Sequence, residues 1–249
     1  MQRNDRLSGY VWILLAAFFW SLIGVISKIC MSAGVSPLET AFWRAAFGGS
    51  LFLVHAALHK GLFIRPRDAG IFLLFGVWGV GVFFGATQYA IQLSGAAMAV
   101  VLLYTAPVWV AVFSRLLFRE RISPRKIGAI GVALTGGSLP GRTSLLGIGC
   151  GLLTGLCYAS HYPFYRWWQN RYATATIYGF MLAGGVLALW FCVPVSLNHE
   201  PRVWFWLAVL GVTSTFFAYT CYGQGLKRIS LVRAAVTCHL EPVLSTLWV

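Results

Sequence analysis

The sequence predicts an all-α fold, a polytopic bundle of helices that span a membrane. Hydrophobic residues make up 59% of the chain and charged residues 10%, whereas a soluble domain carries roughly a quarter charged residues. Apolar windows of nearly membrane-spanning length recur along all 249 residues, and features of the first half of the chain return in the second. These three observations argue against a water-soluble fold.

Nine apolar windows predict nine helices, α1 to α9. The connectors between them are short and rich in Gly, Pro and charged residues, so each helix should run antiparallel to the next. The fifth window is short, and the ninth runs to the end of the chain. The windows are 9–29 (α1), 38–58 (α2), 69–91 (α3), 96–117 (α4), 127–139 (α5), 145–167 (α6), 174–195 (α7), 203–225 (α8) and 231–249 (α9).

The net charge of +13 does not predict a nucleic-acid partner, because the basic residues separate the apolar windows and form no continuous basic surface. Most of them lie on the side of the N-terminus, and the opposite side holds only Lys28, Arg142 and Arg202. Because cytoplasmic loops are rich in Lys and Arg, this bias predicts a cytoplasmic N-terminus. The expected location is the plasma membrane, which in a bacterium is the inner membrane. The first window is too long for the apolar part of a signal peptide and is interpreted as an uncleaved helix.

An internal repeat is the most specific feature of the sequence. The stretch FFGATQYAIQL at 83–93 resembles FFAYTCYGQGL at 216–226, and Pro107 corresponds to Pro242 after a two-residue insertion. These matches place α8 on α3 and α9 on α4, and a weaker match places α6 on α1, so the repeating unit has five helices. An odd unit reverses its direction in the membrane when it recurs, which predicts inverted repeats. Chance similarity between apolar helices is the alternative.

The repeat divides the chain into two predicted domains, a five-helix repeat at 1–143 and a second, incomplete repeat at 144–249. Only seven residues follow Pro242, too few for a helix that would correspond to α5. We therefore expect the tenth helix to be absent from this chain, through truncation or as a natural short form.

At these residues the chain resembles the EamA-type branch of the drug/metabolite transporter superfamily. The resemblance rests on Trp20, on Arg44 within SPLETAFWRAAF, on the segment from Tyr104 through Pro107 to Glu120 and Gly131, and on the Glu241-Pro242 pair. It implies a ten-helix basket of two inverted five-helix halves, around a central cavity that opens to either side in turn. Family members are similar to exporters of amino acids and related metabolites. The absent tenth helix is the departure from the family pattern.

Two charged residues within the apolar windows are candidates for a functional site. Arg44 should face the bundle interior, either as a contact for an anion or carboxylate or as a structural residue near the membrane edge. Glu241 is the one acidic residue well inside a window and, with His239, is a candidate for proton coupling. Pro242 and Pro107 predict helix breaks, so Glu241 and His239 are alternatively residues that stabilise an opened turn.

Aromatic residues within the windows are candidates for the lining of a solute path, because small organic solutes are held by apolar walls with a few polar groups. Membrane-interface belts and helix packing are their alternative use. His161 is a candidate proton relay or, alternatively, a hydrogen-bonded structural histidine. The aromatic candidates are Trp20, Trp43, Tyr89, Tyr104, Tyr158, Tyr162 and Tyr222.

These features predict a secondary transporter that moves a small organic solute by alternating access. The family resemblance implies an amino acid or related metabolite, moved in the direction of export, and protons are the candidate coupling ion. An intramembrane enzyme is disfavoured because the sequence has no HExxH, no GxSxG and no paired acidic residues, and no cofactor or metal is expected. A membrane scaffold or assembly subunit is the remaining alternative, and the oligomeric state is left open.

Overall fold

The computed structural model describes residues 3–59, 61–103, 105–118, 144–238 and 240–245. All regular structure in these ranges is helical, which confirms the predicted all-α class. Within them, five helical spans are long and apolar enough to cross a membrane, and Thr174–Trp190 is a shorter apolar helix. The window predicted as α5 lies outside the described residues, as do Tyr104 and His239.

The described helices follow the predicted windows and keep their numbers here. A bend at Gly95, whose φ of 80° suits glycine, separates α3 from α4. The bounds are Arg3–Ser21 and Ile23–Ser32 for α1; Pro37–Leu58 for α2; Pro66–Gly76, Val77–Val82 and the first part of Phe83–Leu103 for α3; the rest of that stretch and Ala106–Phe118 for α4; Leu145–Trp168 for α6; Thr174–Trp190 for α7; Pro201–Gly211, Val212–Phe217 and Ala218–Leu226 for α8; and Leu231–Cys238 and Glu241–Ser245 for α9.

Prolines define several helix ends. Pro37, Pro66 and Pro201 lie in the first turns of α2, α3 and α8, where the missing N–H removes no hydrogen bond within the helix. α7 ends at Trp190 rather than at residue 195. Pro194 prevents the helix from reaching residue 195, because proline cannot continue a helix and disfavours helical backbone in the residue before it.

The contacts between helices have the pattern that two repeated halves produce. α1 packs against α8, and α6 packs against α3. Likewise α2 packs against α8 as α7 packs against α3, and α1 contacts α9 as α6 contacts α4. Exchanging each helix for its counterpart in the other half therefore turns each of these contacts into another observed contact. α2 and α7, which are counterparts of one another, pack together directly.

Glycines allow the helices of the two halves to cross at very short distance. Where α7 crosses α3, a Cβ added to Gly184 would lie 2.0 Å from the carbonyl oxygen of Leu73. Where α2 crosses α8, a Cβ added to Gly48 would lie 2.5 Å from Thr215 Cγ2. Neither position has room for a side chain, so glycine brings the backbones together, as is common between membrane helices. The same type of crossing thus occurs at corresponding places in the two halves.

α3 and α8 each contain a widened, π-helical stretch, Val77–Val82 in α3 and Val212–Phe217 in α8. Each stretch adjoins or includes one of the Phe-Phe pairs that the repeat aligns, so the two lie within two residues of corresponding positions. A π-helical turn changes the regular bonding of the backbone carbonyls and is frequent at functional sites. The apolar windows did not predict either stretch.

Candidate functional site

A cavity of about 180 Å³ opens between α1, α2, α3, α4, α6, α8 and α9. A protein cavity of about 150 Å³ is large enough to hold a benzene ring. Its walls are mostly apolar and carry a few polar and charged groups from both halves of the chain, as in typical small-molecule sites. The polar and aromatic side chains on its walls are Trp20, Ser21, Lys28, Arg44, Phe83, Thr87, Thr154, Tyr158, Tyr219, Glu241 and Ser245.

Arg44 of α2 lies in the wall of this cavity and is only 2% exposed. Its Nε donates a hydrogen bond to Thr215 Oγ1 at 3.1 Å, and Nη2 donates to the Ser214 carbonyl at 3.2 Å, both in the π-helical stretch of α8. Its guanidinium carbon lies 4.0 Å from the centre of the Phe84 ring, within the range of a cation–π interaction. These contacts fix the guanidinium in the bundle interior and exclude a side chain that snorkels to the membrane edge.

Glu241 of α9 lines the same cavity and is 7% exposed. It lies near enough to Arg44 to act on it electrostatically, as does Tyr219. The cavity therefore presents a cationic and an acidic side chain, in surroundings where charges interact more strongly than they do in water. Such a pair can bind a solute that carries a carboxylate and an ammonium group.

Both predicted helix breaks lie at the start of a new helical piece. α4 resumes at Ala106 and α9 resumes at Glu241, so Pro107 and Pro242 are each the second residue of the following helical piece. Proline is well tolerated there, because the first turn of a helix has no partner for its N–H. Leu103 and Glu241, which flank these breaks, line the cavity.

Aromatic rings form the floor of the cavity. Trp20 packs edge-on against Tyr158 and Tyr219, with ring centres 5.9 and 5.5 Å apart. Phe83 stacks on Tyr158 with a ring separation of 5.9 Å. Such edge-to-face and offset pairs are the favoured geometries of aromatic rings. Two of the candidates from the sequence, Trp20 and Tyr158, therefore belong to the floor, together with two rings that were not candidates.

Five other candidates do not line this cavity. Trp43 packs edge-on against Trp204 instead, with ring centres 4.6 Å apart. Tyr162 and Tyr222 are buried next to it, and Tyr89 is 37% exposed on α3. His161 is buried, and its Nε2 lies 2.6 Å from the carbonyl oxygen of Gly79. Because a carbonyl only accepts hydrogen bonds, this nitrogen carries the hydrogen in that contact. The contact matches the structural alternative for His161.

Each π-helical stretch is held by a polar side chain from the other half of the chain. Arg44 of the first half binds the Ser214 carbonyl of α8, and His161 of the second half binds the Gly79 carbonyl of α3. We call these two hydrogen bonds the crossed anchors. Backbone carbonyls that leave regular helical bonding need another partner inside a membrane. The crossed anchors supply that partner on both sides of the interface between the halves.

Helical spacing relates the lining residues that were missed to those that were predicted. Lys28 lies eight residues after Trp20 on α1, and Thr154 lies four residues before Tyr158 on α6. Side chains at intervals of four lie on the same face of a helix. A search at intervals of four residues from each aromatic candidate finds both residues. From the charge pattern alone, Lys28 is only a signal of membrane topology.

Comparisons with known proteins identify relatives of this chain. A model of the EamA-like transporter family matches residues 7–139 and 145–249. The fold is also similar to that of a protein known from a crystal structure, with a TM-score of 0.75 and 20% sequence identity; the match covers 100% of this chain and 88% of the other.

Several curated relatives are similar over most of their length. An uncharacterized transporter of Archaeoglobus fulgidus is 30% identical over 229 residues, which cover 89% of this chain and 80% of the relative. The uncharacterized inner membrane transporter YicL of Salmonella typhimurium is 26% identical over 258 residues, which cover 96% and 85%. The aromatic amino acid exporter YddG of Ancylobacter novellus is 28% identical over 275 residues, which cover 99% and 88%.

Proposed function

Because the chain belongs to the EamA-like transporter family, we propose that it exports an amino acid with an aromatic or other large apolar side chain by alternating access. Family membership confirms the resemblance seen in the sequence and makes the chain a multi-pass membrane transporter rather than an enzyme. The observation that carries the choice of solute is the cavity, which combines Arg44 and Glu241 with an aromatic floor.

The cavity offers a group for each part of such a solute. Two of the five guanidinium N–H donors of Arg44 serve its contacts with α8, and the planar fork suits the solute carboxylate. Glu241 would accept the ammonium group, and Trp20 and Tyr158 would hold the apolar side chain. The name of the YddG relative, an aromatic amino acid exporter, supports this assignment.

We place the cavity on the extracytoplasmic side of the membrane. With a cytoplasmic N-terminus, most of its lining residues lie between the middle of their helices and the end that faces outward, for example Trp20 to Lys28 in α1. Tyr158 of α6 and Tyr219 of α8, on the cavity floor, lie on the cytoplasmic side of the middle. This placement supports an outward-open state. Two inverted halves, at 1–143 and 144–249, would rock about the cavity floor to reach an inward-open state. The exchangeable helix contacts and the paired glycine crossings support this arrangement.

Glu241 is the group that we propose for coupling to protons. A carboxylate inside a membrane is costly unless it is neutralised. A proton or the ammonium group of the solute would each add to the favourable interaction that Arg44 already provides. Competition between the two at one site would exchange solute leaving the cell for protons entering it. The other coupling candidate, His239, lies outside the described residues.

The proposal is tested by counterflow into proteoliposomes that contain the purified chain and an excess of unlabelled solute. Phenylalanine, tryptophan and leucine should be exchanged faster than alanine or glutamate, and protein-free liposomes set the baseline. The variant Tyr89→Phe, which alters a residue outside the cavity, should match the wild type. Preferred exchange of glutamate or alanine would reject the solute class. The absence of any exchange of these solutes by folded protein would reject an amino acid as the solute.

A further inference from the structure

We infer that four tyrosines next to the cavity form the inner half of the solute path, which is closed in this structure. They are Tyr162, Tyr165, Tyr178 and Tyr222, here called the tyrosine column, and each is at most 1% exposed. They belong to α6, α7 and α8 and lie toward the helix ends that the charge pattern predicts to be cytoplasmic. The inference rests on the proposed function, because it assigns the second half of the same path.

The tyrosine column is continuous with the cavity. The Tyr162 hydroxyl donates a hydrogen bond to the hydroxyl of Tyr158 on the cavity floor at 3.2 Å, and the Tyr222 ring lies 5.2 Å from the Trp20 ring. A second, small cavity of about 10 Å³ is lined by Tyr158, Tyr162 and Glu241, among others. This volume is close to what one water molecule needs. The small cavity therefore marks where the open part of the path passes into the closed part.

The tyrosine column also reaches the inner ends of α6 and α7. The Tyr178 ring lies 4.6 Å from that of Tyr219 on the cavity floor and stacks on Tyr165 at 5.7 Å. The Tyr165 hydroxyl shares a hydrogen bond with Thr174 Oγ1 at 2.6 Å, and Thr174 is the first residue of α7. Rings and hydroxyls thus continue from the cavity floor to the predicted cytoplasmic end of α7.

Two hydroxyls of the tyrosine column are poorly matched to the closed state. The hydroxyls of Tyr178 and Tyr222 are buried. That of Tyr178 has no hydrogen-bond partner among the described residues, and that of Tyr222 lies near the Tyr162 hydroxyl, whose own hydrogen is donated to Tyr158. A buried hydroxyl without a partner destabilises the fold, and phenylalanine would fill the same space without that penalty. Water or a solute would supply the partner once the column opened. The hydroxyls are therefore suited to an open path lined with rings and polar groups, as an aromatic amino acid requires.

The tyrosine column borders a tight seam between α1 of the first half and α8 of the second. A Cβ added to Gly225 would lie 2.4 Å from Ile13 Cδ1, and one added to Gly9 would lie 2.7 Å from Ile229 Cγ2. The first contact lies in the predicted cytoplasmic halves of these helices, and the second joins α1 to the connector that follows α8. A rocking motion that moved α8 away from α1 would separate the seam and open the column.

Cysteine labelling tests this inference without knowledge of the solute. In a chain whose six native cysteines are replaced, Tyr178→Cys and Tyr222→Cys would be treated with a membrane-impermeant thiol reagent from either side of vesicles of known orientation. Leu182→Cys is the matched control, because Leu182 is equally buried but packs against Gly49 of α2. The column cysteines should react at least tenfold faster than the control from the cytoplasmic side. Equal rates would overturn the inference.

Hydroxyl removal gives a second, independent measurement. Tyr178→Phe with Tyr222→Phe should raise the melting temperature and slow exchange at least threefold, because the closed state gains stability. Tyr165→Phe is the matched control and should lower the melting temperature, since it removes the bond to Thr174. A double variant that is less stable and exchanges at the wild-type rate would overturn the inference. If the column cysteines are labelled but no amino acid is exchanged, the proposed solute alone is rejected. If amino acids are exchanged but the column cysteines are not labelled, the tyrosine column alone is rejected.

Discussion

Replacement of Arg44 by glutamine should weaken the binding of solutes that carry a carboxylate. The amide lacks the positive charge, but it can still donate a hydrogen bond toward the Ser214 carbonyl, which Arg44 Nη2 now reaches at 3.2 Å. A hydrogen bond to a charged group contributes about 1.5–3 kcal/mol. At about 1.4 kcal/mol for each tenfold change, the apparent affinity for an aromatic amino acid should fall roughly 10- to 150-fold.

The assay compares two solutes in counterflow, phenylalanine and phenethylamine, which is the same molecule without its carboxylate. The wild type should prefer phenylalanine, whereas Arg44→Gln should bind both with similar affinity. Two proteins measured against two solutes form a cycle that isolates the coupling between the guanidinium and the carboxylate. General damage to the fold would weaken the binding of both solutes by the same factor, so its effect cancels in this comparison.

A neighbouring variant provides the structural control for Arg44. Thr215→Val removes the hydroxyl that accepts a hydrogen bond from Arg44 Nε at 3.1 Å, but it leaves the charge in place. It should change the apparent affinity for both solutes by the same factor. If Arg44→Gln behaves in that way too, or keeps the full preference for phenylalanine, Arg44 is a structural residue and the recognition scheme fails.

Other residues give predictions with different measurements. Gly184→Ala should lower the melting temperature by about 2–12 °C, because overpacking costs about 1–3 kcal/mol and each kcal/mol shifts it by about 2–4 °C in a chain of this size. Gly149→Ala, where an added Cβ meets open space, should not lower it, and equal losses in both variants would contradict the crossing. Glu241→Gln should bind amino acids more weakly and exchange them more slowly, because the amide oxygen can still accept from the ammonium group but carries no charge, and it should lose the accompanying proton movement, read with a pH-sensitive dye inside the vesicles; undiminished proton movement would assign the coupling elsewhere. Glu39→Ala should speed hydrogen exchange at the Ser196 amide roughly 5- to 150-fold, the factor for an unpaired buried group, because Glu39 Oε1 accepts from that amide at 2.8 Å; an unchanged exchange rate would show that the bond adds no stability.

The helices and part of the site could be predicted because lipid imposes strong rules on sequence. A span needs about 20 apolar residues, so the windows located the described helices to within a few positions. A charge inside a window has to face the bundle interior. This rule identified Arg44 and Glu241 as candidates for the site. The match between the two halves was equally informative, since the helix contacts follow it.

The π-helical stretches could not be predicted from local composition. Their geometry depends on partners far away in the chain, with Arg44 bonded to Ser214 and His161 bonded to Gly79. The sequence also could not predict how deeply two residues that correspond in the repeat are buried. Tyr222 is fully buried beneath Trp20, whereas Tyr89, its counterpart in the repeat, is 37% exposed. An alignment gives the position along a helix but not the neighbours that cover it.

The crossed anchors constrain how this chain is assembled during synthesis. The Gly79 carbonyl lacks its histidine until the chain has grown by a further 82 residues, and the Arg44 guanidinium waits 170 residues for the Ser214 carbonyl. A buried arginine without partners is strongly unfavourable in lipid, so the nascent first half enters the bilayer incomplete. The second half therefore completes the hydrogen bonding of the first, because it supplies the partners of Arg44 and of the Gly79 carbonyl.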